Sequence, residues 1–178
     1  MAWISLESLL SVRRTMFTAN GTFTVPGGVT VILVTAIAGG GGSGVTGGGG
    51  AGESISRIFK VTPGDSITIT IGAGGSAGAV GGVNGGAGGN TQVGSLVTLV
   101  GGSGNSGSAG GAGAPAGAAG SGGKVPLDKL PFFIASGMLR LAVIGASDVS
   151  PSIYPYGHGA DPGSTPQAGK PGVVVIEW

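Results

Sequence analysis

The sequence predicts an all-β protein: an antiparallel, sandwich-like β domain with long glycine-rich loops, preceded by a short N-terminal helical segment. Three observations carry this reading. Glycine supplies 43 of 178 residues, and between Gly39 and Gly123 it recurs at every third position over long stretches. Short runs rich in Val, Ile and Thr stand between those stretches, several alternating apolar and polar as half-buried strands do. Pro-Gly pairs punctuate the strand runs at positions where turns require them.

Residues 1–16 form a distinct segment ahead of a glycine-rich β domain over residues 17–178. In the segment, Trp3, Leu6 and Leu10 lie at helical spacing, Ile4 and Leu9 widen the stripe, and Gly and Pro are absent. A helix of this length is unstable alone, so it needs a surface. That surface is either its own domain or a partner, the segment then acting as a peg or coiled-coil seam. Trp3, Leu6, Leu9 and Leu10 are the candidate attachment residues.

From Phe17 onward the pattern is that of strands. Thr22-Phe23-Thr24-Val25 alternates and ends in the Pro26-Gly27-Gly28 turn. Val29–Ala38 is apolar at nearly every position, as in a strand buried on both faces. Ser54–Val61 is a further strand, followed by Thr62-Pro63-Gly64-Asp65, which has Pro and Gly where a type II turn wants them. Ile67-Thr68-Ile69-Thr70-Ile71 alternates strictly and predicts a half-buried antiparallel strand, with the two strands flanking the Pro-Gly turn paired as a hairpin. Leu96–Val100, Leu139–Ile144 and Val173–Trp178 complete the set.

The glycine stretches are too long for ordinary loops of a compact domain. Their period resolves this. Gly41, Gly44, Gly47 and Gly50, then Gly72, Gly75, Gly78 and Gly81, then Gly82, Gly85 and Gly88, then Gly101, Gly104, Gly107, Gly110 and Gly113, and after one skipped register Gly117, Gly120 and Gly123, fit a left-handed extended helix of three residues per turn, which has no internal hydrogen bonds. Packed side by side without Cβ atoms, such rods (polyglycine II helices) exchange N–H···O=C bonds laterally and satisfy one another. Each ordered glycine costs extra conformational entropy, so only a dense lattice of contacts offsets it.

Composition excludes several classes. The net charge is +1 and there is no basic stripe, so nucleic-acid binding is not expected. No apolar run reaches the roughly 20 residues of a membrane helix, and none is preceded by the basic region of a secretion signal, since Arg13 and Arg14 follow the apolar residues. The chain has no Cys, which removes disulfides and thiolate metal sites and leaves oligomerisation or backbone hydrogen bonding to supply rigidity. His158 is the sole histidine and lacks companions at ligand spacing. The carboxylates Glu53, Asp65, Asp148 and Asp161 are scattered, without a signature acid–base pair. The many Gly-x-Gly-x-x-Gly matches have no helix after them and are expected by chance in such a chain. No enzyme activity, metal or cofactor is expected.

The most distinctive heptad is Ile153-Tyr154-Pro155-Tyr156-Gly157-His158-Gly159, a constrained loop holding both tyrosines of the chain. Tyr154, Tyr156 and His158 are the candidate receptor-binding residues, because tyrosine offers a flat apolar face and a polar tip. The alternative is that these rings, with Phe132 and Phe133, cap the core.

Taken in order, several phrases resemble the glycine-rich domain of bacteriophage tail fibres and other virion appendages. They are Phe23-Thr24-Val25-Pro26-Gly27-Gly28-Val29-Thr30-Val31, Ala38-Gly39-Gly40-Gly41-Gly42, and Val61-Thr62-Pro63-Gly64-Asp65 with Ile67-Thr68-Ile69-Thr70-Ile71-Gly72-Ala73-Gly74-Gly75. The last is Gly169-Lys170-Pro171-Gly172-Val173-Val174-Val175-Ile176-Glu177-Trp178. The resemblance spans about residues 17–178 and departs from the usual pattern between about Val125 and Gln167. It implies a virion protein, often trimeric, at a fibre tip that attaches virus to host. Related tip adhesins stack polyglycine helices and expose variable loops to the receptor. The expected partners are sibling subunits of a homotrimer, other virion proteins, and a host surface glycan or outer-membrane protein. Two alternatives stand beside host attachment. One is a purely architectural virion protein such as a capsid decoration, collar or fibre joint. The other is an ice-binding glycine-helix bundle, disfavoured because Thr sits in the strands and not in the triplet runs.

Overall fold

The computed structural model describes residues 13–80, 84–105, 156–161 and 165–178. Within them the chain is all-β: eight strands in two four-stranded sheets. The first sheet has the order β1-β8-β3-β4 and the second β2-β5-β6-β7, with β1 Arg14–Phe17, β2 Gly21–Thr24, β3 Val31–Ile37, β4 Ser54–Lys60, β5 Ser66–Thr70, β6 Thr91–Val93, β7 Val97–Leu99 and β8 Val173–Glu177. Every pairing is antiparallel. β1 begins three residues ahead of the boundary that the composition suggests. The segment bearing Trp3, Leu6, Leu9 and Leu10, and the Leu139–Ile144 run, lie outside the described residues.

Two inner faces make the core, with Phe23, Ile67, Ile69, Val93 and Leu99 of one sheet against Ile32, Val34, Ala36, Val174 and Ile176 of the other. Phe23 meets Trp178 with ring centroids 5.0 Å apart, tilted at 54°. β5 alternates buried and exposed residue by residue, as its Ile-Thr pattern predicts. The Pro-Gly turns also form as expected: Gly28 and Gly64 have φ of 83° and 88°, with Val29 N–H on Pro26 O and Asp65 N–H on Thr62 O.

Two expectations are corrected. The strands flanking Pro63-Gly64 do not form a hairpin. β4 pairs with β3 in one sheet, whereas β5 pairs with β2 and β6 in the other. The turn is a crossing between sheets, because β3 and β4 already share seven register pairs. Nor is β3 buried on both sides: Ile32 and Val34 are sealed in the core, but Val31 is 47% exposed.

The strands do not stop at the sandwich. Six of their extensions run on as glycine rods, a seventh rod joins them, and the hydrogen bonds continue through all seven. The first rod (38–44) leaves β3. The second (49–53) enters β4, the third (72–78) leaves β5, the fourth (85–90) enters β6 and the fifth (100–105) leaves β7. The sixth (157–161) stands alone, and the seventh (167–172) enters β8.

The first rod is bonded to all six others. It donates to the second (Gly41 to Gly50), fourth (Gly39 to Gly89, Gly42 to Gly86) and seventh (Gly40 to Lys170, Ser43 to Gln167). It accepts from the third (Gly75 to Gly40, Gly78 to Ser43), fifth (Gly102 to Gly39, Asn105 to Gly42) and sixth (Ala160 to Gly41). Contacts to one neighbour therefore recur every three residues, the repeat read from the sequence. The outer six close a ring in the order second, fifth, fourth, third, seventh, sixth, each bonded to the next. The first, third, fifth and sixth rods run away from the sandwich and the others return, so neighbours around the ring alternate in direction.

Steric logic explains the composition. The central rod is surrounded, and its glycines have no room for a Cβ: one at Gly39, Gly40, Gly41 or Gly42 would lie 1.9–2.1 Å from a carbonyl oxygen of a neighbouring rod. Outer rods need glycine where they face the central rod or a neighbour, as at Gly74, whose Cβ would lie 2.0 Å from Gly169 O, and tolerate other residues on the outside. Ala73 and Ser76 of the third rod, Ala87 and Asn90 of the fourth, Ser103 of the fifth and Ala168 and Pro171 of the seventh point to solvent.

Candidate functional site

The alternating rod directions give the molecule two unlike poles. At the sandwich pole the chain enters β1 through Arg13, whose N–H and C=O both bond Trp178. At the far pole the first rod reverses into the second through residues 45–48, and the third and sixth rods lead towards the same pole, from which the fourth and seventh return. The described part of the fifth rod also leads to this pole, whereas the described part of the sixth begins on the sandwich side.

At this pole the rod ends are tied to one another. Gly44 N–H bonds Gly47 O at 2.9 Å and closes the first reversal, while Gly78 N–H bonds Ser43 O at 2.8 Å. The Ser43 hydroxyl, fully buried, accepts the Gln167 N–H at 2.8 Å. Asn105, also buried, accepts the Gly85 N–H on its Oδ1. Each of these side chains does at a rod end what a backbone partner does further down. Among the described residues, those presented outward at this pole include Thr46, Ala79, Val80, Asn84, Asp161 and Thr165, with Val80 77% exposed. These described residues offer mostly uncharged hydroxyl, amide and aliphatic groups at the ends of hydrogen-bonded rods.

Sequence reasoning did not single out these residues. The usable signal was the short non-glycine interruption of a period-three run, such as Val45-Thr46, where the chain must turn back. It singled out the tyrosine loop instead. Tyr156 lies at the start of the sixth rod and packs, half-buried, on Ile37, Val173 and Val175. His158 follows it in the rod; its carbonyl accepts the Lys170 N–H and fills the space beside Gly40. Tyr154 lies outside the described residues. Among the described residues no group of three His, Cys, Asp or Glu side chains is placed to hold a metal ion.

The described residues thus form a β-sandwich whose strands are prolonged into six glycine rods packed around a seventh. The chain belongs to the glycine-rich domain family, which matches residues 18–132. That stretch holds β2 to β7 and the first five rods. No curated protein matches the chain.

Proposed function

We propose that the protein is a bacteriophage virion component, a short tail fibre or fibre tip that presents the loop-bearing pole to the bacterial surface. The observation that carries this reading is the polarity of the molecule. The sandwich lies at one pole, and hydrogen-bonded rod ends with the Gly44–Gly47 turn lie at the other, separated by the length of the glycine bundle. A loop fixed before it meets its ligand loses less entropy on binding, and the lattice supplies that fixation without a disulfide. The ordered phrases from Phe23 to Trp178 that resemble tail-fibre glycine-rich domains support the viral setting. On this reading the sandwich pole faces the particle, sibling subunits form a trimer, and the ligand is a surface glycan or an outer-membrane protein.

The test is adsorption. Purified protein should bind host cells and compete with the phage that carries it, and Thr46→Arg or Val80→Arg should abolish competition while leaving the fold intact. Protease treatment of the cells distinguishes a protein ligand from a glycan. Binding that survives both tip variants would refute the tip as the site. A folded protein that neither binds cells nor competes would favour the purely architectural role.

A further inference from the structure

One piece of chain closes both the sandwich and the bundle. The sixth and seventh rods are bonded to each other, Lys170 N–H to His158 O and Gly157 N–H to Pro171 O, and the seventh runs straight into β8. This closing unit, from 156 to 178, fits a slot in the rest of the molecule. β8 lies between β1 and β3, with four register pairs to the first and five to the second. Val174 and Ile176 are fully buried in the core, and Trp178 meets Phe23. The two rods fill the gap between the second, first and third, through bonds from Gly52 to Gly157, Gly40 to Lys170 and Gly169 to Gly75. The link that ties the unit to its own slot differs from the tight turn at the tip. The first rod turns into the second through residues 45–48, so those neighbours belong to one chain. The fifth and sixth rods both run away from the sandwich, so the chain from 106 to 155 leaves at the far pole and re-enters beside the sandwich. At about 3.4 Å per residue its contour is on the order of 170 Å, against a bundle about 20 Å long. No turn dictates which copy's unit enters which slot.

We propose that the slot also takes the closing unit of a second copy, so that sibling chains assemble by exchanging residues 156–178. The contacts made are those of the single chain, so association needs no additional surface. That matters here, because among the described residues the sheet faces offer little to a sibling. The outward face of the first sheet mixes Met16, Val31 and Ile58 with Arg14, Thr35, Ser56 and Lys60. That of the second presents Thr22, Thr24, Thr68, Thr70, Gln92 and Thr98. Neither is a continuous apolar patch of the kind that marks an interface. Exchange supplies instead a buried core strand and two ladders of backbone bonds. A filled slot does not trade, since every ladder bond of β8 must break first; exchange therefore belongs to folding, and its product persists. At high dilution the covalent link favours a chain's own unit, whereas among crowded, still unfolded siblings a neighbour's unit competes. A ring in which each chain passes its unit to the next leaves no slot empty, at three members as at two. The inference rests on siblings meeting, as proposed above, and not on what the tip binds.

The absence of Cys from the sequence makes exchange readable. Leu33 and Glu177 are register partners across β3 and β8. Full-length Leu33→Cys and full-length Glu177→Cys chains are unfolded together, refolded at high concentration and oxidised mildly. A disulfide should join the two chains. The same chains folded apart and then mixed should give at least ten-fold less of it. So should Ala87→Cys, on the outer side of the fourth rod, refolded together with Glu177→Cys. The double variant Leu33→Cys/Glu177→Cys, refolded at high dilution, should close within one chain and so show that the two cysteines meet. Closure there, with no more product between co-refolded chains than the Ala87→Cys control gives, would overturn the proposal. A second readout needs no cysteine. Wild-type chain refolded at rising concentration should yield folded oligomers that survive dilution; folded monomer alone at every concentration would also overturn it. Exchange by a chain that does not adsorb to cells would uphold this inference and count against the tip reading alone.

Discussion

Gly41 stands at the middle of the lattice, where an added Cβ would lie 2.0 Å from the carbonyl oxygen of Ser103. The obstacle is backbone, which has no rotamer to give, so the rods must separate and several hydrogen bonds lengthen together. Gly41→Ala is therefore expected to cost about 3 kcal/mol or more, at or beyond the upper end of ordinary overpacking, read by denaturant titration. Gly27→Ala is the control: nothing lies within 4 Å of its Cβ position, and the change should stay within about 1 kcal/mol of wild type. Thr91 is the other residue that holds the junction. It is fully buried, and its hydroxyl donates to Ile37 O at 3.2 Å and accepts the Gly72 N–H at 3.0 Å, tying the two sheets where they become rods. Thr91→Val keeps the shape and orphans the Gly72 N–H. A loss of about 1–3 kcal/mol is expected, and a loss under about 0.5 kcal/mol would show that the junction does not depend on this bridge.

At the scale of elements, rods and strands differ in how sequence betrays them. The rods are written in glycine spacing, because a residue pointing between rods has no space for a side chain and one pointing outward does. That rule made the packed-rod architecture readable before any coordinates. Strand pairing was less legible. The Pro63-Gly64 turn has hairpin chemistry, yet its strands part into separate sheets, since local turn geometry fixes a change of direction and not the partner. Thr91–Val93 was not read as a strand because three residues are too few to show an alternating pattern, although it forms a tight hairpin with β7. The tip was missed because its residues are ordinary and only their position is special. β4, an edge strand, is guarded by Arg57, which shares the inward side with Phe59 and sits 5.8 Å from its ring centroid, a charge that discourages further strand addition. Hydrogen exchange tests the element picture directly. Amides of residues 39–43 should be protected to the same degree as those of β3 and β8, while those of residues 45 and 46 exchange early. Fast exchange throughout 39–43 would mean the lattice is not closed in solution.

For the whole molecule, the continuity of strand into rod predicts one cooperative unit. Trp178 reports on the sandwich through its contact with Phe23, whereas amide signals of the rods report on the bundle. Their denaturation midpoints should coincide within error, the signature of a two-state transition. Separate midpoints would show that the shaft can melt while the sandwich stands.

The central rod is the earliest of the seven in the chain, and the piece that seals it, residues 167–172, is nearly the last. A ribosome therefore delivers the hub long before the final spoke, and the newborn hub must wait in water with its peptide groups unclaimed. Folding of such a chain can be no faster than its own completion, and contacts this distant in sequence are slow to find one another. Stalled or shortened products should consequently accumulate as misassembled material, so the yield of correct molecules is governed by how long the unfinished wheel is kept from its neighbours.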